Sequence, residues 1–219
     1  MALSKLQFNS INVTPAAGEG IRFNSGANGF ETASAGGSLA LIKTTTLSSA
    51  AGSISFVNGA SDVVLDSTYK EYIFYFNNIH PATDSTVFKF QTSIDTGSSY
   101  GVTVTNSLFK TRHAEDGSLG DLNYDGDDLA QSTSDIHLSL SIGADGDQAN
   151  SGYLHLFDPS NTTSIKNYQT RMSTIEHRDR SIDVFSGGCF NTTSAIDAII
   201  FRMDSGNIDA GSISMYGVL

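Results

Sequence analysis

The stretch 120–132, GDLNYDGDDLAQS, contains the residues best suited to bind a metal ion. Its first half alternates carboxylate and amide side chains and then reaches Gly126, as the calcium-binding loop of an EF-hand does. Counted from Asp121, however, the twelfth position is Ser132 rather than a bidentate glutamate, and no helix is predicted on either side. We therefore predict a solvated acidic turn. The alternative is a looser calcium site with four oxygen ligands: Asp121, Asn123, Asp125 and Asp127.

Residue types used in acid–base or nucleophilic catalysis are scattered along the chain. The five histidines lie in five different segments: His80, His113, His137, His155 and His177. No pair of them has the helical spacing, or a cysteine partner, that is typical of a zinc site. The sequence also lacks a G-x-S-x-G nucleophile elbow and a glycine-rich phosphate loop. We predict no catalytic residue and no cofactor, and therefore a protein that is not an enzyme.

Two of the histidines and the single cysteine are expected to have structural roles. His137 and His155 fall on the polar faces of alternating stretches, where a cross-strand pair is the ordinary arrangement. Cys189 is the only cysteine, so the chain cannot form an internal disulfide. We predict that Cys189 is buried among apolar side chains, as free cysteines commonly are.

The composition excludes several classes of partner. The chain of 219 residues has 12 Lys and Arg against 23 Asp and Glu, a net charge of −11, so nucleic acid is not an expected partner. No run of about 18 apolar residues is present, and a membrane span is not expected. The first residues, MALSKLQFNSINV, lack the apolar region of a secretory signal, so we expect synthesis in a cytoplasm without such a signal.

From residue 39 onward the sequence has the pattern of β-strands. In IHLSLSI, 136–142, apolar residues alternate with His and Ser, which indicates a strand with one solvated face. YIFYF, 72–76, is apolar on both faces and is typical of a central strand. About eleven such stretches are separated by turn residues, without the helical crossovers that parallel sheets require. We predict an all-β domain over 39–219, an antiparallel β-sandwich or jelly roll.

Residues 1–38 are predicted to form a separate N-terminal arm. LQFNSINV and GIRFNSGANGF each contain a short apolar–polar alternation, and TASAGGS, 32–38, has the composition of a flexible joint. The two alternations form either a strand pair that packs on the main domain or an arm that pairs with another chain. In the second case the apolar anchors are Leu6, Phe8, Ile21 and Phe23.

Three long stretches resemble a family of bacteriophage virion proteins found in marine and cyanobacterial phages. They are STYKEYIFYFNNIHPATDSTVFKFQTS at 67–93, SGYLHLFDPSNTT at 151–163 and FNTTSAIDAIIFRMDSGNIDAGSISMYGV at 190–218. The resemblance implies a virion component: a fibre, a spike or a protein that decorates the head. It also implies a short N-terminal segment that attaches the domain to the particle, and it brings no catalytic motif.

Three functions follow as hypotheses. The leading one is a virion structural protein that decorates the capsid, attached through its arm to capsid or tail proteins and assembled as a homotrimer. The alternative is a short tail fibre or a module that binds a receptor or a host surface glycan, with tyrosines in or beside loops as ring platforms: Tyr100, Tyr124 and Tyr153. The third is a hydrolase with paired carboxylates, for which no specific pattern is present.

Overall fold

The computed structural model describes residues 19–34 and 38–219 of the chain. Leu6 and Phe8, together with the strand predicted around them, lie outside the described residues. The chain divides into two compact units, Met1–Ala40 and Leu41–Leu219, and each is described by itself.

The described part of the first unit contains a β-hairpin. Strand β1, Glu19–Phe23, pairs antiparallel with strand β2, Phe30–Ser34. The Asn24 N–H donates to the Gly29 carbonyl at 3.0 Å and closes the turn between them. The strand in GIRFN therefore pairs with the FETAS strand that follows it. The prediction of a joint beginning at residue 32 was wrong for 32–34, because these residues continue the ladder of β2.

Strands β3 to β14 span residues 39 to 218. Their bounds are β3 Leu39–Thr46, β4 Ile54–Val57, β5 Glu71–Pro81, β6 Phe88–Ser93, β7 Val104–Ala114, β8 Gly120–Tyr124, β9 Ile136–His137, β10 Asn150–Phe157, β11 Lys166–Glu176, β12 Arg180–Phe190, β13 Ala198–Met203 and β14 Ile208–Val218. Residues 19–34 and 38–219 contain no helix, and therefore none that could cross a bilayer.

These strands form two antiparallel sheets. The larger sheet has eight strands in the order β3-β14-β5-β10-β11-β12-β7-β8, and the smaller has four in the order β4-β13-β6-β9. Aromatic side chains from both sheets meet in one core: Phe74 of β5 lies 5.4 Å from Phe56 of β4, and Tyr168 of β11 lies 5.3 Å from Phe90 of β6 (ring centroids). The predicted antiparallel β-sandwich is confirmed. The predicted central strand YIFYF lies within β5, between β14 and β10.

The alternating stretch 136–142 does not form the full strand that its sequence predicts. Pairing stops after β9 because the Ser139 hydroxyl accepts a hydrogen bond from the Phe88 N–H at 3.0 Å, a donor that a continuing ladder would use. Ser141 then takes a positive φ of 49°. The alternation nevertheless predicts burial correctly, although it does not predict strand pairing. The buried apolar residues of the stretch are Ile136, Leu138, Leu140 and Ile142.

Candidate binding face

The carboxylates of the predicted calcium loop pair with separate cations instead of converging. Asp121 lies on β8 and accepts a hydrogen bond from Arg112 Nε at 3.0 Å, which lowers the pKa of that carboxyl. Asp125 is buried and pairs with the Lys110 ammonium. Burial raises the pKa of Asp125, but its hydrogen bonds, chiefly that from Lys110, outweigh burial and lower it. The Asp127 carboxylate lies 3.6 Å from Nδ1 of His137 instead.

Asn123, the fourth residue of that set, is exposed on β8 directly opposite Lys110. The cations come from alternate positions of β7, the strand that precedes the acidic stretch. Across residues 19–34 and 38–219, no group of three or more His, Cys, Asp and Glu side chains is arranged to hold a metal ion. The first five of the thirteen residues of the predicted acidic turn, 120–124, form strand β8 rather than a turn.

The predictions for single side chains had different outcomes. The expected cross-strand pair is present for His155, which lies on β10 and pairs with Glu71 on the neighbouring strand β5. His137 on β9 lies directly opposite Lys89 of β6. The prediction that Cys189 is buried was wrong. Cys189 is only half-buried, because it lies on the face of β12 that points away from the core.

Ile21 and Phe23, the predicted anchors within the described residues, lie on the N-terminal hairpin. Their exposed fractions are 41% and 67%, and Phe30 on the paired strand is 43% exposed. The rings of Phe23 and Phe30 stack with centroids 4.9 Å apart. The hairpin thus presents three large apolar side chains to solvent.

The outer face of the eight-stranded sheet carries a row of five aromatic rings and one arginine that could not be found in the sequence. Strand register places these residues side by side, each directly opposite the next, on six adjacent strands: Tyr75, Tyr153, Arg171, Phe185, Phe109 and Tyr124. We call this line the aromatic row. Its members point away from the core, because their neighbours along each strand, such as Leu154, Met172 and Val184, are buried in it.

The middle of the aromatic row is tightly ordered. The rings of Phe185 and Phe109 stack with centroids 4.8 Å apart and planes 4° from parallel. The Arg171 guanidinium lies 5.0 Å from the centroid of the Phe185 ring and donates to Asp183 at 2.6 Å. A guanidinium held over an aromatic face in this way is attracted by the negative face of the ring. Arg171, Phe185 and Phe109 therefore form one continuous stacked group in the middle of the row.

A trough runs beside the aromatic row on the same face. Its floor is formed by three directly opposed residues of the next line: Gln169, Gly187 and Ser107. Two adjoining depressions, of about 300 Å³ and about 480 Å³, share Gln169, Gly187 and Ser107. The aromatic row forms one wall and the line containing Phe157 and Cys189 forms the other. Tyr153 belongs to the wall as part of β10, so its predicted position in or beside a loop was wrong.

A comparison of the chain with models of known protein families found no match, and comparisons with curated proteins and with solved structures found none either.

Proposed function

We propose that this chain is a non-enzymatic virion structural protein that decorates a phage capsid and attaches to it through residues 1–38. The proposal draws on the resemblance of 67–93, 151–163 and 190–218 to phage virion proteins. It also draws on the all-β sandwich, a fold whose paired backbone makes a rigid module for assembly. In this proposal the copies assemble as a homotrimer, which multiplies weak contacts with the particle.

The observation that carries the proposal is the exposed apolar hairpin. Two-stranded hairpins are only marginally stable in water by themselves, so an unsupported hairpin gains stability when a partner covers it. Ile21, Phe23 and Phe30 together offer such a partner an apolar surface on one short element. Full burial of a fully exposed side chain of this size contributes about 1.5–3 kcal/mol, and a partner would supply the part of this that corresponds to the area still exposed. A capsid or tail protein is the partner that we propose.

We infer further that the sandwich is a jelly roll enlarged by two hairpins. Eight strands supply the two four-stranded layers of such a fold: β3, β14, β5 and β10 in one sheet, and β4, β13, β6 and β9 in the other. The chain changes sheets at each step between these strands except from β6 to β9. The hairpins β7–β8 and β11–β12 are then additions that widen the first sheet beyond β10.

Cosedimentation with phage particles that lack the chain tests the attachment. A chain without residues 1–31 is expected to fold and to remain in the supernatant. The double variant Ile21→Ser/Phe23→Ser is expected to bind at least about tenfold more weakly, since a buried apolar anchor contributes about 2 kcal/mol. Leu122→Ser is the matched control, because Leu122 is 68% exposed on β8 and has no part in the arm. Undiminished attachment of the truncated chain would refute the proposal.

A further inference from the structure

Gly187 lies in the interior of β12 although the backbone there does not require glycine. Its φ is not in the left-handed region, and an added Cβ would meet only the Tyr168 carbonyl at 3.7 Å and Gln169 Cγ at 3.9 Å, which are ordinary contacts. The adjacent Gly188 differs, because its Cβ would lie 2.5 Å from Asn106 Cβ. Packing therefore explains Gly188 and leaves Gly187 unexplained.

Glycine weakens a strand interior, and it often marks a site where a ligand approaches the backbone closely. Gly187 forms the floor of the trough, between Gln169 and Ser107. Any larger side chain at this position would project into the space between Phe185 and Cys189, its neighbours on the same face of the strand. The residue that costs stability is thus the one that keeps the trough open.

The polar groups of the trough suit a neutral ligand with many hydroxyls. Within residues 19–34 and 38–219, the side-chain amides of Asn167 and Gln169 have no hydrogen-bond partner, and both residues are exposed. The ionisable groups nearby already have partners on the face itself: Arg171 pairs with Asp183, and the His155 ring contacts Glu71. The trough therefore offers free amide donors and acceptors without an uncompensated charge.

The walls supply the apolar half of the recognition. Phe157 lines one side, and Tyr153, Phe185 and Phe109 line the other. Aromatic rings pack against apolar C–H surfaces while amides bind the adjacent hydroxyls, and a sugar carries both kinds of group. A polyanion is disfavoured because the chain has a net charge of −11.

We propose that this trough binds a neutral oligosaccharide, with its C–H surfaces against the wall rings and its hydroxyls on Asn167 and Gln169. The site lies on the outer face of the sheet and uses no residue of the N-terminal hairpin. The proposal therefore stands or falls independently of attachment to a capsid.

The test begins with the full chain on an array of neutral and acidic oligosaccharides, followed by calorimetric titration of the strongest neutral one. Binding to neutral members is expected. Gly187→Val should fold with an unchanged or higher Tm and should weaken binding at least tenfold, because the isopropyl group fills the trough. Gln169→Ala should weaken binding about tenfold through the loss of one hydrogen-bonding amide. Ser181→Val is the matched control on the same face of β12, outside the trough, and should bind as the native chain does.

Three results would overturn the proposal. The native chain could bind no neutral oligosaccharide on the array, or acidic ones alone. The second such result is unchanged sugar binding in both Gly187→Val and Gln169→Ala. If Gly187→Val does not fold, unchanged binding in Gln169→Ala alone overturns the proposal. Finally, sedimentation could show a native oligomer that Gly187→Val converts to monomers while sugar binding is absent, which would assign the face to a second copy of the chain.

Discussion

Phe201 occupies the centre of the aromatic core, and its removal tests how the two sheets are joined. The side chain is fully buried on β13. Five other rings surround it with centroids 5.2 to 6.3 Å away: Phe56, Phe74, Phe76, Phe88 and Phe90. These rings come from both sheets, so a single substitution, Phe201→Ala, removes contacts on both sides of the sandwich.

The expected loss in free energy of unfolding follows from this environment. Truncation of a buried phenylalanine to alanine costs about 3–5 kcal/mol, including the cavity that remains. Ring pairs add about 0.5–1.5 kcal/mol each beyond the buried area, so we expect a value in the upper half of that range. For a domain of this size, 1 kcal/mol corresponds to about 2–4 °C, and Tm should fall by about 8–20 °C.

Urea and thermal unfolding followed by far-UV circular dichroism measure this change, because the chain has no tryptophan for fluorescence. Phe109→Ala is the control: it also removes a stacked ring, but one that is 42% exposed and outside the core, and it should cost about 1–1.5 kcal/mol. A cost of less than about 2 kcal/mol for Phe201→Ala, or one no larger than that of Phe109→Ala, would contradict this prediction. Either result would mean that the sheets do not share this core.

Two further predictions concern charged groups. Burial lowers the pKa of His80, but hydrogen bonds to the Asp209 carboxylate at 2.6 Å and the Asp145 carbonyl at 3.1 Å outweigh it, so the folded pKa lies above 6.5. The resulting stabilisation, relative to the unfolded chain, is complete below pH 6.5 and is lost as pH rises through the folded pKa. Urea titrations from about pH 6 to 9 should show this loss in the native chain and not in His80→Gln; equal slopes would contradict it. Lys110→Met should lower the free energy of unfolding by about 3 kcal/mol, because it leaves Asp125 buried without its cation. The double variant Lys110→Met/Asp125→Leu should recover most of that loss. If Lys110→Met is as stable as the native chain, the pair contributes nothing to stability.

Most strands could be predicted because burial on one face leaves a period of two in the sequence. LALIKTTT coincides with β3, Leu39–Thr46, and YIFYF lies within β5. The period reports which side chains face the core, however, and not whether the backbone is paired. At 136–142 burial and strand pairing do not coincide. The Ser139 hydroxyl accepts the hydrogen bond that a backbone carbonyl would accept in a continuing strand, so the chain leaves the sheet although its apolar residues remain buried.

The acidic stretch shows a second limit of sequence analysis. Its ligand-like spacing is real, but the residues that decide its chemistry precede it: Arg112 lies nine positions before Asp121. A hairpin register that sets β7 against β8 brings the two together, and the same register sets Lys110 against Asn123. The alternating cations in KTR, 110–112, were the available signal. Cations opposite carboxylates on adjacent strands are typical of a paired sheet rather than of a metal loop.

The aromatic row could not be predicted, because it exists only in the register of six strands. Tyr75, Tyr153 and Phe185 are far apart in the sequence, and a shift of one residue in any strand would turn its ring toward the core. The pair Gly187–Gly188 is ambiguous for the same reason. In the sequence it is a single turn-like dipeptide, whereas in the sheet the two glycines face opposite sides. Gly188 makes room for Asn106 in the interior, and a Cβ at Gly187 would meet its neighbours only at ordinary contact distances. Only the fold shows which glycine faces the core and which faces the trough, and therefore which one is required for packing and which one belongs to the candidate binding site.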